Sequence, residues 1–332
     1  MKKIRNKSVA GVFALIIMLI CVLTLLKMVR GHLGINEFEG ALVGRYRMIN
    51  LNTSISKLLT GGTYMESNEV LLGKDGWLFY KATGDGTPLY DYMGINHFSE
   101  EELAKVYDNL VAIGDGISAR GMDVIFMTVP NKEQVYSEYM PDTVDKINDK
   151  SRLDELTEYI ESKGGLIADR YGYVDTSKVL RAYKDTYPLF YRTDTHWTEC
   201  GSYLALMELR RAMDQRVTPI DEVVFTDKGG FVGDLAKISG SRDEYSDVNP
   251  VIDASSINDD STKDQVMLII GDSFGDAMIH SAKHFYKEVY WVRLKEYTDE
   301  LDRYEPDVVV VECVERYLSD LQEEVAGGII HP

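Results

Sequence analysis

The stretch Val266-Met267-Leu268-Ile269-Ile270-Gly271-Asp272-Ser273-Phe274-Gly275-Asp276 sets five apolar residues directly against a Gly-Asp-Ser turn. A short apolar run closed by glycine reads as a strand buried on both faces, the pattern of a parallel sheet. A helix is expected from about Asp276, so the Ser273 hydroxyl falls at the C-terminal edge of the sheet, where α/β folds place their ligands. Free N–H groups at that helix start, including that of Ser273, can stabilise an oxyanion, and Gly271 and Gly275 permit close backbone approach. Taken alone, Gly-Asp-Ser is also an ordinary turn with a helix cap.

Working outward, Asp123–Val129 (stopped by Pro130), Val289–Val292 and Val308–Cys313 repeat the apolar-run form, and a further strand is expected at Gly165–Asp169. Ser99-Glu100-Glu101-Glu102 opens a helix running to about Arg120, with Leu103, Val106, Leu110 and Ile113 on one stripe. Two more helices are expected at about 151–163 and after Thr198. Alternating strands and helices predict an α/β fold, a parallel sheet with helices on both faces. Residues 71–80 read as a Gly-Asp turn running into a strand. The Asp-, Gly- and Ser-rich stretch 214–263, with Phe231-Val232-Gly233-Asp234-Leu235 inside it, reads as an insertion.

Lys2, Lys3, Arg5 and Lys7 precede an uncharged run from Ser8 to Leu26, which Lys27 and Arg30 close. That run is long enough to span a bilayer, and the flanking charges orient its N-terminus to the cytoplasm. No Ala-x-Ala-like site follows it, and Met18-Leu19-Ile20 lacks the small residues that cleavage before a lipoprotein cysteine at Cys21 requires. The expected organisation is a cytoplasmic tip and transmembrane anchor over 1–30, a stalk over 31–69 and an extracytoplasmic domain over 70–325. Of 36 basic residues, six lie in 1–30 with no acidic ones, so the expected exported part sets 30 against 54 acidic residues, a net of −24. Such a surface disfavours nucleic acid. Only Cys200 and Cys313 lie beyond the anchor, too few for a disulfide scaffold; their spacing does not decide whether they pair.

A serine nucleophile needs a base. Tyr191-Arg192-Thr193-Asp194-Thr195-His196-Trp197-Thr198 offers one, because in an extended segment Asp194 and His196 share a face, the carboxylate fixing the imidazole tautomer. A lone histidine there also serves as a structural or capping residue. His280 and His284, four apart on a helix, read as a solvated face rather than a metal site.

With these elements together, the sequence resembles the SGNH-like acyltransferases of the alginate O-acetylation type (AlgX/AlgJ-like, with an Asp-His-Trp segment). The resemblance rests on Gly73-Lys74-Asp75-Gly76-Trp77-Leu78-Phe79-Tyr80, Pro130-Asn131-Lys132 with Val135-Tyr136 and Met140-Pro141, the 191–197 segment and Gly271-Asp272-Ser273-Phe274. It implies a permuted SGNH-hydrolase-like fold and an acyl-serine intermediate, with Ser273 as nucleophile, His196 as base then acid and Asp194 as orienter. Gly271, Asn131, Lys132, Arg192 and Arg316 are weaker candidates for oxyanion or substrate contacts. It further implies O-acetylation of an exported or cell-wall polysaccharide, the acetyl group arriving through a membrane-bound O-acyltransferase partner, with no cofactor and no metal. AlgX's carbohydrate-binding appendage is expected to be missing, a partner supplying grip on the polymer. A polysaccharide acetylesterase with the same triad, and a non-catalytic scaffold of an exopolysaccharide export complex, are the alternatives.

Overall fold

The computed structural model describes residues 18–27, 67, 69–81, 87–166, 170–293 and 299–322. The chain divides into two compact units, Met1–Glu66 with Lys237–Ser241, and Ser67–Ala236 with Arg242–Pro332. In the first, residues 18–27 are helical and the Thr24 hydroxyl donates to the Ile20 carbonyl at 2.8 Å. No helix among the described residues is long and apolar enough to cross a membrane; residues 8–17 of the expected span and 31–66 of the expected stalk lie outside them.

The second unit opens with a hairpin of β1 (Val70–Leu72) and β2 (Leu78–Tyr80) around a tight turn at Lys74–Gly76. Gly76 sits at φ 78°, a conformation glycine adopts without strain. The main sheet is made of β3 (Asp123–Val129), β4 (Tyr171–Asp175), β7 (Val266–Gly271), β8 (Glu288–Arg293) and β9 (Val308–Val314), in the order β4-β3-β9-β7-β8. Every pairing in it is parallel. A separate antiparallel pair, β5 (Phe225–Asp227) and β6 (Pro250–Ile252), lies within the 214–263 stretch.

Successive strand residues point to opposite faces, and both faces are apolar. Ile125, Met127, Val129, Met267, Ile269, Val308, Val310 and Val314 enter one core. Val124, Phe126, Leu268, Ile270, Val309 and Val311 enter the other. Two helices, α1 (Glu100–Ser118) and α2 (Arg152–Ser162), contribute to the second core; α3 (Glu199–Ala212) and α4 (Ser273–Ala282) close the first. Each fully buried Val, Leu or Ile contributes about 1.5–3 kcal/mol, so the three central strands anchor the unit.

Two boundaries differ from expectation. Helix α4 begins at Ser273, not near Asp276, because Asp272 caps it: its Oδ1 accepts from the Phe274 N–H at 2.8 Å. The strand expected at 165–169 is β4, further along. Leu166 is buried in the core, residues 167–169 lie outside the described ones, and β4 is an edge strand of half-buried tyrosines carrying no apolar run. Cys200 and Cys313 are both free and buried, and burial pushes the Cys200 thiol up to about 12.

Candidate active site

Parallel pairing brings the C-terminal ends of β3, β9 and β7 to one edge, and Ser273 stands there as the first residue of α4 with its side chain exposed. The segment bearing His196 reaches it from the chain between residues 187 and 198. Thr198 caps α3 by accepting from the N–H groups of Cys200 and Gly201, while its hydroxyl donates to the Pro188 carbonyl. A Cβ at Gly201 would lie 2.3 Å from the Leu189 carbonyl oxygen, so glycine is what lets the cap and the chain before it close together.

His196 Nε2 lies 2.7 Å from Ser273 Oγ, and His196 Nδ1 lies 2.7 Å from Asp194 Oδ1. The expected extended segment is instead a run of bends. Asp194 Oδ1 also accepts from the His196 backbone N–H at 3.0 Å, an Asx turn that brings the two side chains together more tightly than an extended chain would. Asp194 Oδ2 accepts from the Asp234 N–H at 2.8 Å. Burial alone would raise the Asp194 pKa, but the bond from His196, its charge and two backbone N–H groups bring it down to about 2. The network therefore puts the Nδ1 proton toward Asp194 and leaves Nε2 as acceptor for the serine proton.

The stretch read as an insertion supplies a part of this site that the sequence reading missed. Asp234 accepts from the Thr195 N–H at 2.9 Å and hydroxyl at 2.7 Å, and its Oδ2 lies 3.9 Å from His196 Nδ1. Burial, then the charge of Asp194, raises its pKa. Asp247 accepts from the Thr193 N–H and hydroxyl at 2.8 and 2.6 Å. The signal was Gly233-Asp234: a Cβ on Gly233 would sit 2.0 Å from the Thr193 carbonyl oxygen, so only glycine passes there. Asp194, His196 and Asp234 carry ligand-type atoms within 4.8 Å of one another. Both Asp194 oxygens are already occupied by N–H donors, which leaves that trio poorly suited to a cation.

The weaker candidates fall elsewhere. Lys132 is buried, and its ammonium donates to the carbonyls of Tyr191, Arg192 and Asp194 at 3.2, 3.2 and 2.7 Å, so it holds the 191–194 backbone instead of facing substrate. Burial lowers its pKa to about 8, with Glu133, Asp234 and Asp194 pulling it back up. Asn131 is fully buried, donating its side-chain amide to Asp91 and its backbone N–H to Glu315. Arg192 pairs with Asp247 at 3.0 Å. Arg316 is buried with its guanidinium 5.3 Å from the Phe274 ring centre, beside the turn that carries Ser273. Gly271 ends β7, where a Cβ would meet Glu312 at 2.6 Å.

Ser273 and His196 open into a cleft of about 500 Å³ whose walls include Tyr191, Phe231, Asn249, Asp276, His280 and Lys283. The Tyr191 and Phe231 rings stack at 3.9 Å, and the Tyr191 hydroxyl donates to Asn249. His280, expected on a solvated helix face, is exposed but turned into this cleft; His284 sits 3.9 Å from Glu199.

Residues 70–280 match the family described as SGNH hydrolase-like domain, acetyltransferase AlgX. The chain belongs to this SGNH-like AlgX acetyltransferase family. Two curated relatives are named probable alginate O-acetylase AlgJ. The Pseudomonas putida protein is 27% identical over 192 residues, 55% of this chain and 45% of that one. The Pseudomonas syringae protein is 26% identical over 151 residues, 44% and 34%. The chain thus spans less than half the length of these relatives. Among solved structures, a DHHW family protein from Eubacterium siraeum superposes with TM-score 0.54 at 15% identity, covering 80% of this chain and 100% of that one. Pseudomonas aeruginosa AlgX superposes with TM-score 0.52 at 14% identity, covering 78% and 65%. Both likenesses are of fold, and they fit the SGNH-like parallel sheet flanked by helices.

Proposed function

We propose that this AlgX-family chain is a serine-dependent O-acetyltransferase that moves an acetyl group through acyl-Ser273 onto hydroxyls of an exported or cell-wall polysaccharide. The observation that carries this reading is the continuous chain Ser273–His196–Asp194, with both links at 2.7 Å, opening into the 500 Å³ cleft. His196 Nε2 takes the Ser273 proton as Oγ attacks the acetyl carbonyl. The tetrahedral intermediate collapses, the leaving group departs with that proton, and acetyl-serine remains. An acceptor hydroxyl then gives its proton to His196 and attacks the ester, and His196 returns the proton to Ser273 Oγ. The imidazolium formed in each step is stabilised by Asp194, with Asp234 adding a second nearby carboxylate.

The N-terminal run 8–26 would hold the chain at the outer membrane-water boundary, beside a membrane-bound O-acyltransferase that supplies acetyl groups. The exposed Ser273 also suits water as acceptor, which favours an acetylesterase as the second reading. Incubating the purified chain with an aryl acetate and a panel of soluble oligosaccharides separates the two. Acetylated sugar supports the transferase, and free acetate alone supports the esterase.

A further inference from the structure

Along β9, alternation places Val308, Val310, Glu312 and Val314 on the face that enters the core with α4. Three of these are apolar and the fourth is a glutamate only 1% exposed. We propose that Glu312 is the positioning residue of the nucleophile turn: its carboxyl group holds the backbone on both sides of Ser273 and so sets both the serine hydroxyl and the amide that faces the developing oxyanion. This rests on Ser273 being the nucleophile.

Glu312 Oε2 accepts from the Asp272 N–H at 3.2 Å and from the Gly275 N–H at 2.9 Å. The Phe274 N–H is taken by Asp272 Oδ1, and Asp272 Oδ2 in turn accepts from the Val314 N–H at 2.8 Å. Of the amides from 272 to 275, that of Ser273 has no partner among the described residues. The turn therefore has one N–H left for a negatively charged oxygen, with its neighbours prevented from rotating toward it. The same carboxyl group bears on the glycines on either side: a Cβ at Gly271 would stand 2.6 Å from Glu312 Oε2, and one at Gly275 would stand 2.8 Å from Ile269 Cγ2 and 3.1 Å from Glu312 Oε2. Glu312 Oε1 has no partner among the described residues. Burial, then the charge of Asp272, pushes the Glu312 pKa well up, with the Gly275 and Asp272 N–H groups and then Arg316 opposing.

The test compares Glu312→Gln, Glu312→Ala and Glu312→Asp with the wild type and Ser273→Ala, reading kcat and KM for an aryl acetate and the rate at which a sulfonyl fluoride modifies Ser273. Gln keeps an oxygen at the Oε2 position and no charge; Asp keeps a carboxylate but falls short of the turn. The expected result is Gln within about threefold of wild type, and Ala and Asp down by about 30-fold or more in kcat and in sulfonylation, with KM within about threefold. An Ala variant at wild-type kcat would overturn the proposal, as would a Gln variant as slow as Ala. Where Ala fails to fold, the Gln and Asp pair decides: Asp active and Gln inactive means that charge, not positioning, is what the site uses. Absence of any wild-type adduct at Ser273 would remove the nucleophile reading and the proposal with it; an adduct forming equally in all Glu312 variants removes only the proposal.

Discussion

Asp194 is the residue on which the geometry of the base depends. It ties the imidazole, its own turn and the Asp234 backbone to two oxygens. Asp194→Asn is expected to lower kcat by about 10³- to 10⁴-fold with the fold intact, because the amide favours the wrong histidine tautomer. Circular dichroism beside steady-state rates checks this. Its pKa is lowered on folding from its ordinary 3.8 to about 2. The stability it contributes is therefore fully present above about pH 4 and is lost as pH falls through 3.8 toward 2. Denaturant midpoints measured from pH 6 to pH 2 should fall more steeply in wild type than in Asp194→Asn. A chelator such as EDTA is expected to leave the rate unchanged, since a cation on Asp194 would compete with the three N–H groups that its oxygens already accept from. That Asp194, His196 and Ser273 come together was legible because Asp-x-His and Gly-Asp-Ser are short local patterns. Asp234 and Glu312 were not, because each acts on a turn about 40 residues distant in sequence.

At the scale of elements, the site is a meeting of turns held by buried polar groups. Leu78 of β2 donates its N–H to the Arg192 carbonyl, and Lys132 donates to three carbonyls of the same segment while lying over the Trp77 and Phe79 rings. The three motifs 73–80, 130–132 and 191–197 are thus one mechanical unit. Lys132→Met, of similar length, removes the ammonium and takes from the Tyr191 and Asp194 carbonyls the donor they share, while the Arg192 carbonyl keeps the Leu78 N–H. It is expected to cost about 2–4 kcal/mol and to slow turnover more than tenfold without a matching change in KM. Chemical denaturation with parallel kinetics measures both. The motifs were legible but the roles within them were not: Asn131, Lys132 and Arg192, with Arg316 outside the motifs, were only weak candidates for substrate contacts, and in the fold Asn131 and Arg192 pair with carboxylates, Lys132 holds backbone and Arg316 packs on Phe274. The three central strands were legible from unbroken apolar runs. The edge strand β4 was not, because Tyr171-Gly172-Tyr173-Val174-Asp175 carries no apolar run and its tyrosines are half-buried.

Across the whole molecule, a formal net charge of −18 bears on which acceptor reaches the cleft. Transfer to a neutral oligosaccharide is expected to be insensitive to salt, whereas transfer to a uronate-bearing one should rise between about 20 and 300 mM salt as long-range repulsion is screened. Initial rates at subsaturating acceptor show it. The parallel sheet with helices on both faces was legible from the alternation of elements alone, and the family match agrees with it. The proposed mechanism turns on one bond, that between acetyl and Ser273 Oγ. Rapid quenching of the purified chain after mixing with an aryl acetate, followed by peptide mass spectrometry, reads it directly. The prediction is an acetyl group on the peptide bearing Ser273 in wild type, trapped in greater amount in Asp194→Asn if deacylation slows more than acylation, and absent in Ser273→Ala. Turnover with the acetyl group on another residue, or undiminished turnover in Ser273→Ala, would contradict it.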